Sequence, residues 1–252
     1  LAAAIRKDRG NGLRPCFVTA TIGTTSSTSI DPVPAIADIA EREQMWLHVD
    51  AAYAGSTAVL PEYRWLLDGC HRADSLVFNP HKWLMVPVDC SIFYCRRPDV
   101  LRRAFSLVPD ILRTADTELN LMDYGIPLGR RFRALKLWFV LRYYGREGLA
   151  QIIRDQIAMA RELHDRIAAD PRFEICAPAL FSVVCFRLRG SDEENRGLLD
   201  RVNAGRRFFL SSTTLDGRCV LRIAIGNMWT TRETLDELWS LICRVAHPVE
   251  HV

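Results

Sequence analysis

The sequence predicts an α/β fold whose buried strands carry the chemistry, followed by a smaller α+β unit. Three observations lead there. Short apolar runs alternate with amphipathic helical stretches between residues 15 and 95. A long amphipathic helix then spans residues 147–169, with Leu149, Ile152, Ile153, Ile157, Ala160, Leu163 and Ile167 as its apolar residues and Pro171 as its stop. Beyond it, short β-rich runs and a last helix close the pattern. A chain of 252 residues, 49% of them apolar, can bury a full core. Gly145 supplies the break, so the expected units are 1–145 and 146–252.

Taken in order, residues 1–9 read as a helix closed by Gly10-Asn11-Gly12. Because the chain opens at Leu1 inside that pattern, its start reads as a cut end. Residues 15–20 are strand-like, and a hydroxyl-rich loop, 21–28, follows at the carboxyl end. Asp31, Pro32 and Pro34 open a helix that runs to Arg42. The next apolar run, Met45-Trp46-Leu47-His48-Val49, stops at Asp50. After a short helix and turn at 61–72 comes Ser75-Leu76-Val77-Phe78, ended by Asn79-Pro80. Residues 90–95 make one more strand, and Pro98 opens a helix to Phe105. Residues 106–120 lack periodicity and read as a mobile loop. Phe132, Leu135, Trp138, Phe139 and Arg142 then follow helical spacing, and their aromatic rings read as core. Strands are expected at 173–177, 181–189, 207–211 and 219–226, and a helix at 233–245.

Composition excludes several classes. A net charge of +3 with scattered arginines gives no nucleic-acid footprint. No apolar run is long enough to cross a membrane, and no signal-peptide pattern opens the chain. Eight cysteines without a C-x-x-C pair read as free thiols in a reducing cytoplasm. His247 and His251 have a metal-like spacing, but Pro248 between them argues against a metal site, and none is expected.

Lys82 stands out because the chain holds only three lysines, at 7, 82 and 136, against 30 arginines. An amine at the end of a buried strand is costly unless paired or used, although a lysine snorkelling from a strand-to-loop junction is the plainer alternative. Desolvation favours the neutral amine, which is a nucleophile towards an aldehyde. Asp50, 32 residues earlier, ends another buried strand. In open α/β sheets ligands sit beyond the carboxyl ends of strands, where both side chains would project. Pyridoxal phosphate uses such a pair: a lysine for the imine and a carboxylate that keeps the ring nitrogen protonated. Ala51 and Ala52 are small enough to let a flat ring approach. His48, mid-strand, reads as a hydrogen-bonded core histidine. His81 is the more plausible functional one, orienting the imine or holding a phosphate oxygen, and Asn79 can donate to phosphate.

The segments His48-Val49-Asp50-Ala51-Ala52-Tyr53-Ala54-Gly55 and Asn79-Pro80-His81-Lys82-Trp83 resemble the pyridoxal-phosphate-dependent group II decarboxylases, aromatic L-amino acid decarboxylase among them. Thr21-Ile22-Gly23-Thr24-Thr25, Ile126-Pro127-Leu128-Gly129-Arg130-Arg131-Phe132-Arg133 and Pro171-Arg172-Phe173-Glu174 extend the likeness, which covers only the carboxyl-terminal half of such an enzyme. The resemblance implies a fold-type I large domain, here its second half, plus the small carboxyl-terminal domain. It implies catalytic roles for Lys82, Asp50 and His81, and cofactor contacts from Lys82, Asp50, Ala52, Thr25, Asn79 and His81. Gly129 would shape the substrate pocket, leaving room for a bulky aromatic side chain, while Arg131 and Arg133 read as solvated. The family's mobile loop usually carries a proton-donating tyrosine, and an ungapped count from Lys82 puts Ile111 there.

Three outcomes are therefore open: decarboxylation of an aromatic L-amino acid to the amine, oxidative decarboxylation and deamination to an aldehyde, or a non-catalytic partner that retains the fold. The resemblance also implies a companion chain carrying the amino-terminal half, with two such pairs forming a dimer. That half would bring the phosphate-gripping loop and the residue stacking on the ring.

Overall fold

A computed structural model describes residues 1–106 and 120–246. The first part of the chain runs α1 (Ala2–Gly10), β1 (Phe17–Thr21), α2 (Val33–Arg42), β2 (Trp46–Asp50), β3 (Ser75–Phe78), the short α3 (Pro80–Trp83), β4 (Ile92–Cys95) and α4 (Pro98–Phe105). The second runs α5 (Arg133–Ala169), β5 (Phe173–Ala177), β6 (Val183–Leu188), α6 (Asp192–Ala204), β7 (Ser211–Leu215), β8 (Arg218–Ala224) and α7 (Arg232–Val245).

The first sheet has the order β1-β2-β3-β4, with β1, β2 and β3 parallel and β4 antiparallel to β3. Period-two alternation sorts β2: Leu47 and Val49 are buried, while Trp46, His48 and Asp50 on the other face are only partly covered. The buried face packs against α2, whose Val33, Ala37 and Ala40 recur at helical spacing and are all buried.

Helix α5 joins the two cores. It is kinked at Gly145, whose φ of 63° lies in the region only glycine adopts cheaply. The predicted stop is thus a bend from which the helix resumes. Beyond it, Leu149, Ala150, Ile153 and Ile157 pack into the first core, and Met159, Ala160, Leu163 and Ile167 into the second.

The second sheet is antiparallel, β5-β6-β8-β7, and lies against α5, α6 and α7. Helix α6 was not anticipated. Its start is fixed by a reciprocal cap in which Glu194 N–H donates to the Ser191 hydroxyl and Ser191 N–H donates to the Glu194 carboxylate. The fully buried Asn195 then ties α6 to β6 through both the N–H and the C=O of Leu188. Strand β7 lies at 211–215, not 207–211, because Asp216 and Gly217, both with positive φ, form the two-residue turn into β8.

One expectation about burial is overturned. Phe132, Leu135, Trp138 and Phe139 are exposed, Trp138 at 53% and Phe139 at 56%, and it is Leu137 and Val140 that face the core. The same side of the molecule carries an open apolar cavity of about 940 Å³, bounded by Leu76, Phe78, Ile92, Tyr94, Leu137 and Leu141. Among the described residues no helix is long and apolar enough to cross a membrane.

Candidate active site

Strands β2 and β3 deliver the two residues singled out by the sequence to one end of the sheet. Asp50 stands opposite Val77 in the parallel register. Pairing continues past both strand ends, since Ala51 N–H donates to Val77 O at 2.9 Å and Asn79 N–H donates to Ala52 O at 3.0 Å. Pro80 then opens α3, where its missing N–H costs nothing. Lys82 N–H donates back to Asn79 O at 2.9 Å. Asp50 and Lys82 therefore both lie at the carboxyl ends of neighbouring parallel strands, the end of an open α/β sheet where ligands bind.

Within α3 the burial changes sharply from one residue to the next. Lys82 is exposed, while Trp83 is fully buried. The Trp83 ring stacks on Tyr53 at 4.8 Å with 9° between planes and meets Phe181 edge-on. Its indole N–H donates to Gln156 Oε1 at 2.6 Å, satisfying the one polar atom of the ring. Tyr53 in turn hydrogen-bonds Ser182 at 2.8 Å, and burial pushes its phenol up to about 12. The exposed amine corrects the expectation of a desolvated one: the described residues do not cover it.

Asp50 is oriented by its own loop, with Ala52 N–H donating to Oδ1 at 2.9 Å, and Oδ2 has no partner among the described residues. Ala51 and Ala52 are buried beside it. His81 is held on one side only. Its Nδ1 lies 2.6 Å from the Cys90 carbonyl oxygen and 2.9 Å from the Cys90 N–H, and the tautomer decides which bond is made. Either way Nε2 is the nitrogen left for a ligand. Asn79 Oδ1 accepts from the Ser91 hydroxyl at 2.7 Å, which leaves its NH₂ as the free end.

Thr25 is exposed at the tip of the hydroxyl-rich loop. The loop is closed at its base, where Thr21 N–H donates to the Asp31 carboxylate at 2.8 Å and Asp31 N–H donates to Thr21 O at 2.8 Å. Gly23, at φ +84°, sits so close to Ala54 that a Cβ would lie 2.8 Å from the alanine methyl. His48 is a hydrogen-bonded strand histidine, with Nδ1 2.8 Å from Ser75 Oγ and its ring between Phe17 and Phe93. Burial lowers its pKa, against the opposing pull of Asp50.

Gly129 is exposed, with open space where a Cβ would go. The arginines that follow it are not simply solvated. Arg131 and Arg133 donate to Asp89 at 2.6 and 2.9 Å, which tethers this segment to the loop after α3 and holds the Asp89 carboxyl below its usual range. Ile111, most of the 106–120 loop, His247 and His251 lie outside the described residues. Among the described residues no cluster of three His, Cys, Asp or Glu could hold a metal. Sequence reasoning passed over Ser91, Gln156 and Ser26. None carries a motif, and each is found only through its partner in space.

A parallel sheet with a lysine and a carboxylate converging beyond its strand ends is the arrangement of fold-type I pyridoxal-phosphate enzymes, and the fold here is of that type. The profile of the pyridoxal-dependent decarboxylase conserved domain matches residues 1–189, and the chain belongs to that family. It is 45% identical to phenylacetaldehyde synthase of Arabidopsis thaliana over 100% of this chain and 54% of that protein. It is 44% identical to aromatic-L-amino-acid decarboxylase of Cavia porcellus over 99% of this chain and 53% of that protein. Among solved structures, Oryza sativa TDC with PLP and tryptamine superposes with a TM-score of 0.93 at 40% identity, covering 97% of this chain and 53% of that one. The chain spans about half the length of the curated relatives it matches.

Proposed function

We propose that this chain is the carboxyl-terminal half of a pyridoxal-phosphate-dependent decarboxylase acting on an aromatic L-amino acid. The observation that carries the reading is the placement of Asp50 and Lys82 just at the ends of the neighbouring strands β2 and β3. The residues present fit the cofactor. Lys82 offers an exposed amine with no carboxylate partner among the described residues, Asp50 keeps Oδ2 free, and Ala51 and Ala52 leave room for a flat ring. Lys82 would hold the cofactor through its ε-nitrogen. Asp50 Oδ2 would accept the ring N–H and keep that nitrogen protonated. The Asn79 NH₂, His81 Nε2 and Thr25 hydroxyl would donate to its oxygens. When bound, pyridoxal phosphate supplies the electron sink for the pair left behind as carbon dioxide departs. Gly129 would leave space for an aromatic side chain. Residues 1–145 then form the second half of the large domain and 146–252 the small domain.

The uncovered face of α5, the half-exposed Phe93 and Tyr94 of β4 and the unpaired outer edges of β1 and β4 support a companion chain that supplies the amino-terminal half, with two such pairs making a dimer. Eight free cysteines support a reducing, cytoplasmic setting.

A second outcome is favoured by Ile111. An isoleucine cannot return a proton to the substrate carbon, and the Arabidopsis thaliana relative is a phenylacetaldehyde synthase. That route consumes dioxygen and water and releases aldehyde, carbon dioxide, ammonia and hydrogen peroxide. The deciding experiment supplies an aromatic L-amino acid to the assembled enzyme and measures amine against aldehyde, ammonia and peroxide. Neither product, together with no visible absorbance band dependent on Lys82, would leave only a non-catalytic partner that keeps the fold.

A further inference from the structure

We propose that Arg222 is a positioning residue for the hydroxyl-rich loop 21–28, so that the second sheet controls how tightly the site holds pyridoxal phosphate. This inference rests on the reading of Lys82, Asp50 and Thr25 given above. The contact is concentrated on one residue, Ser26, the neighbour of Thr25. Arg222 Nε donates to the Ser26 carbonyl at 2.9 Å, and the Cys185 thiol donates to the same oxygen at 3.3 Å, using both of its lone pairs. The Thr213 hydroxyl donates to Ser26 Oγ at 2.9 Å.

These groups form a built surface rather than a chance encounter. Cys185, Arg222 and Ser211 are register partners in a single row across β6, β8 and β7, and Thr213 lies two residues along β7 on the same face. Arg222 Nη1 donates to Ser211 Oγ at 2.9 Å, which locks the guanidinium in the plane from which Nε reaches Ser26. A planar fork can serve both acceptors at once, and an ammonium cannot do so in the same geometry.

The loop so held is stiff within itself. Gly23 and Thr24 N–H groups both donate to Ser29 O, and Thr28 N–H donates to Thr24 O. Its base is joined to the site, because Ile22 N–H donates to Asp50 O at 2.8 Å. A stiff loop hinged beside Asp50 moves as a unit, and the grip on Ser26 sets the position of its tip and of Thr25.

The test uses the cofactor-loaded enzyme that contains this chain, with Lys82→Ala as the reference for loss of the visible cofactor band. R222M, R222K and T213V are titrated with pyridoxal phosphate, and the unfolding midpoint of each is measured without cofactor. R222M should raise the cofactor Kd roughly tenfold or more, the scale of one hydrogen bond to a charged group. R222K should recover part of that loss, and T213V should shift in the same direction by less, with cofactor-free midpoints near wild type. Wild-type cofactor affinity in folded R222M overturns the proposal. So does a loss of affinity that merely tracks a lowered midpoint. Should R222M fail to fold, T213V decides, and an unchanged Kd there overturns the proposal as well. A wild-type enzyme with no Lys82-dependent band would sink the functional reading itself, whereas a normal band with an indifferent R222M sinks the positioning role alone.

Discussion

Strand β6 buries five residues in succession, Val184 and Phe186 beneath the helices and Val183 and Cys185 on the opposite face, whereas β4, at the edge of the other sheet, leaves Phe93 and Tyr94 about half exposed. The contrast runs through both units. The second sheet has capped helices, a hairpin turn and a core closed by its own segments. Among the described residues the first sheet has two unpaired edges, an exposed aromatic helix face and an apolar cavity of about 940 Å³. Yet apart from Gly129 every candidate site residue among those described lies on or just beyond the strands of the first sheet. On the proposed reading, the better packed unit is the support, and the unit that would bear the chemistry is the one with the more open surface.

The sharpest way to probe that division is Lys82→Ala. In the assembled enzyme it should abolish the visible cofactor band and lower turnover by roughly 10²–10⁴-fold or more. Because the side chain is exposed, stability should stay within about 0.5 kcal/mol of wild type. A large loss of stability would mean that the lysine holds the first sheet together instead. Next in size is a matched pair measured by urea unfolding of the chain. Phe186→Ala, in the closed core, should cost about 3–5 kcal/mol, and Phe139→Ser, on the open face, less than about 0.5 kcal/mol. Equal costs would erase the contrast. The same Phe139→Ser change should weaken capture of the amino-terminal half.

Tyr53→Phe addresses the seam between the units. It removes the hydrogen bond to Ser182 while leaving the stack on Trp83, so thermal unfolding should report a loss near 1 kcal/mol. No loss would mean that the seam is held by ring packing alone. The smallest effect belongs to Glu62, which Arg154 holds in a two-pronged exposed ion pair that pulls its carboxyl down to about 2. A depressed carboxyl contributes stability that is present above its ordinary value of 4.5 and is lost as pH falls towards about 2. Unfolding midpoints of wild type and Glu62→Gln should thus differ slightly at neutral pH and converge in acid. A gap that widened in acid would reverse the sign.

What the sequence disclosed follows from where its signals are local. The apolar runs ending at Asp50 and at Asn79-Pro80 mark strands and their exits, so the neighbouring strand ends that carry Asp50 and precede Lys82 were legible. Helix α6 was legible too, through Ser191 and Glu194 at cap spacing, and Asp216-Gly217 announced the hairpin that sets β7; both signals were passed over. The exposure of Trp138 and Phe139 was a different matter. Helical spacing identifies an apolar stripe but does not say whether the same chain covers it. The exposure of Lys82 and the convergence of Arg222, Cys185 and Thr213 on Ser26 are products of tertiary placement, with Arg222 and its acceptor 196 positions apart in the chain. No window of sequence contains such a pair.

Helix α3 is a single turn of four residues, too short to absorb strain between its ends. Trp83 acts as its keel, wedged between Tyr53 and Phe181 and tethered to Gln156, while the adjoining Lys82 stays exposed. A volume change beneath the keel, at Phe181 for instance, must tilt the whole turn and swing the amine with it. The placement of the Lys82 side chain is thus set in part from deep in the interior, by Trp83 and the rings that wedge it.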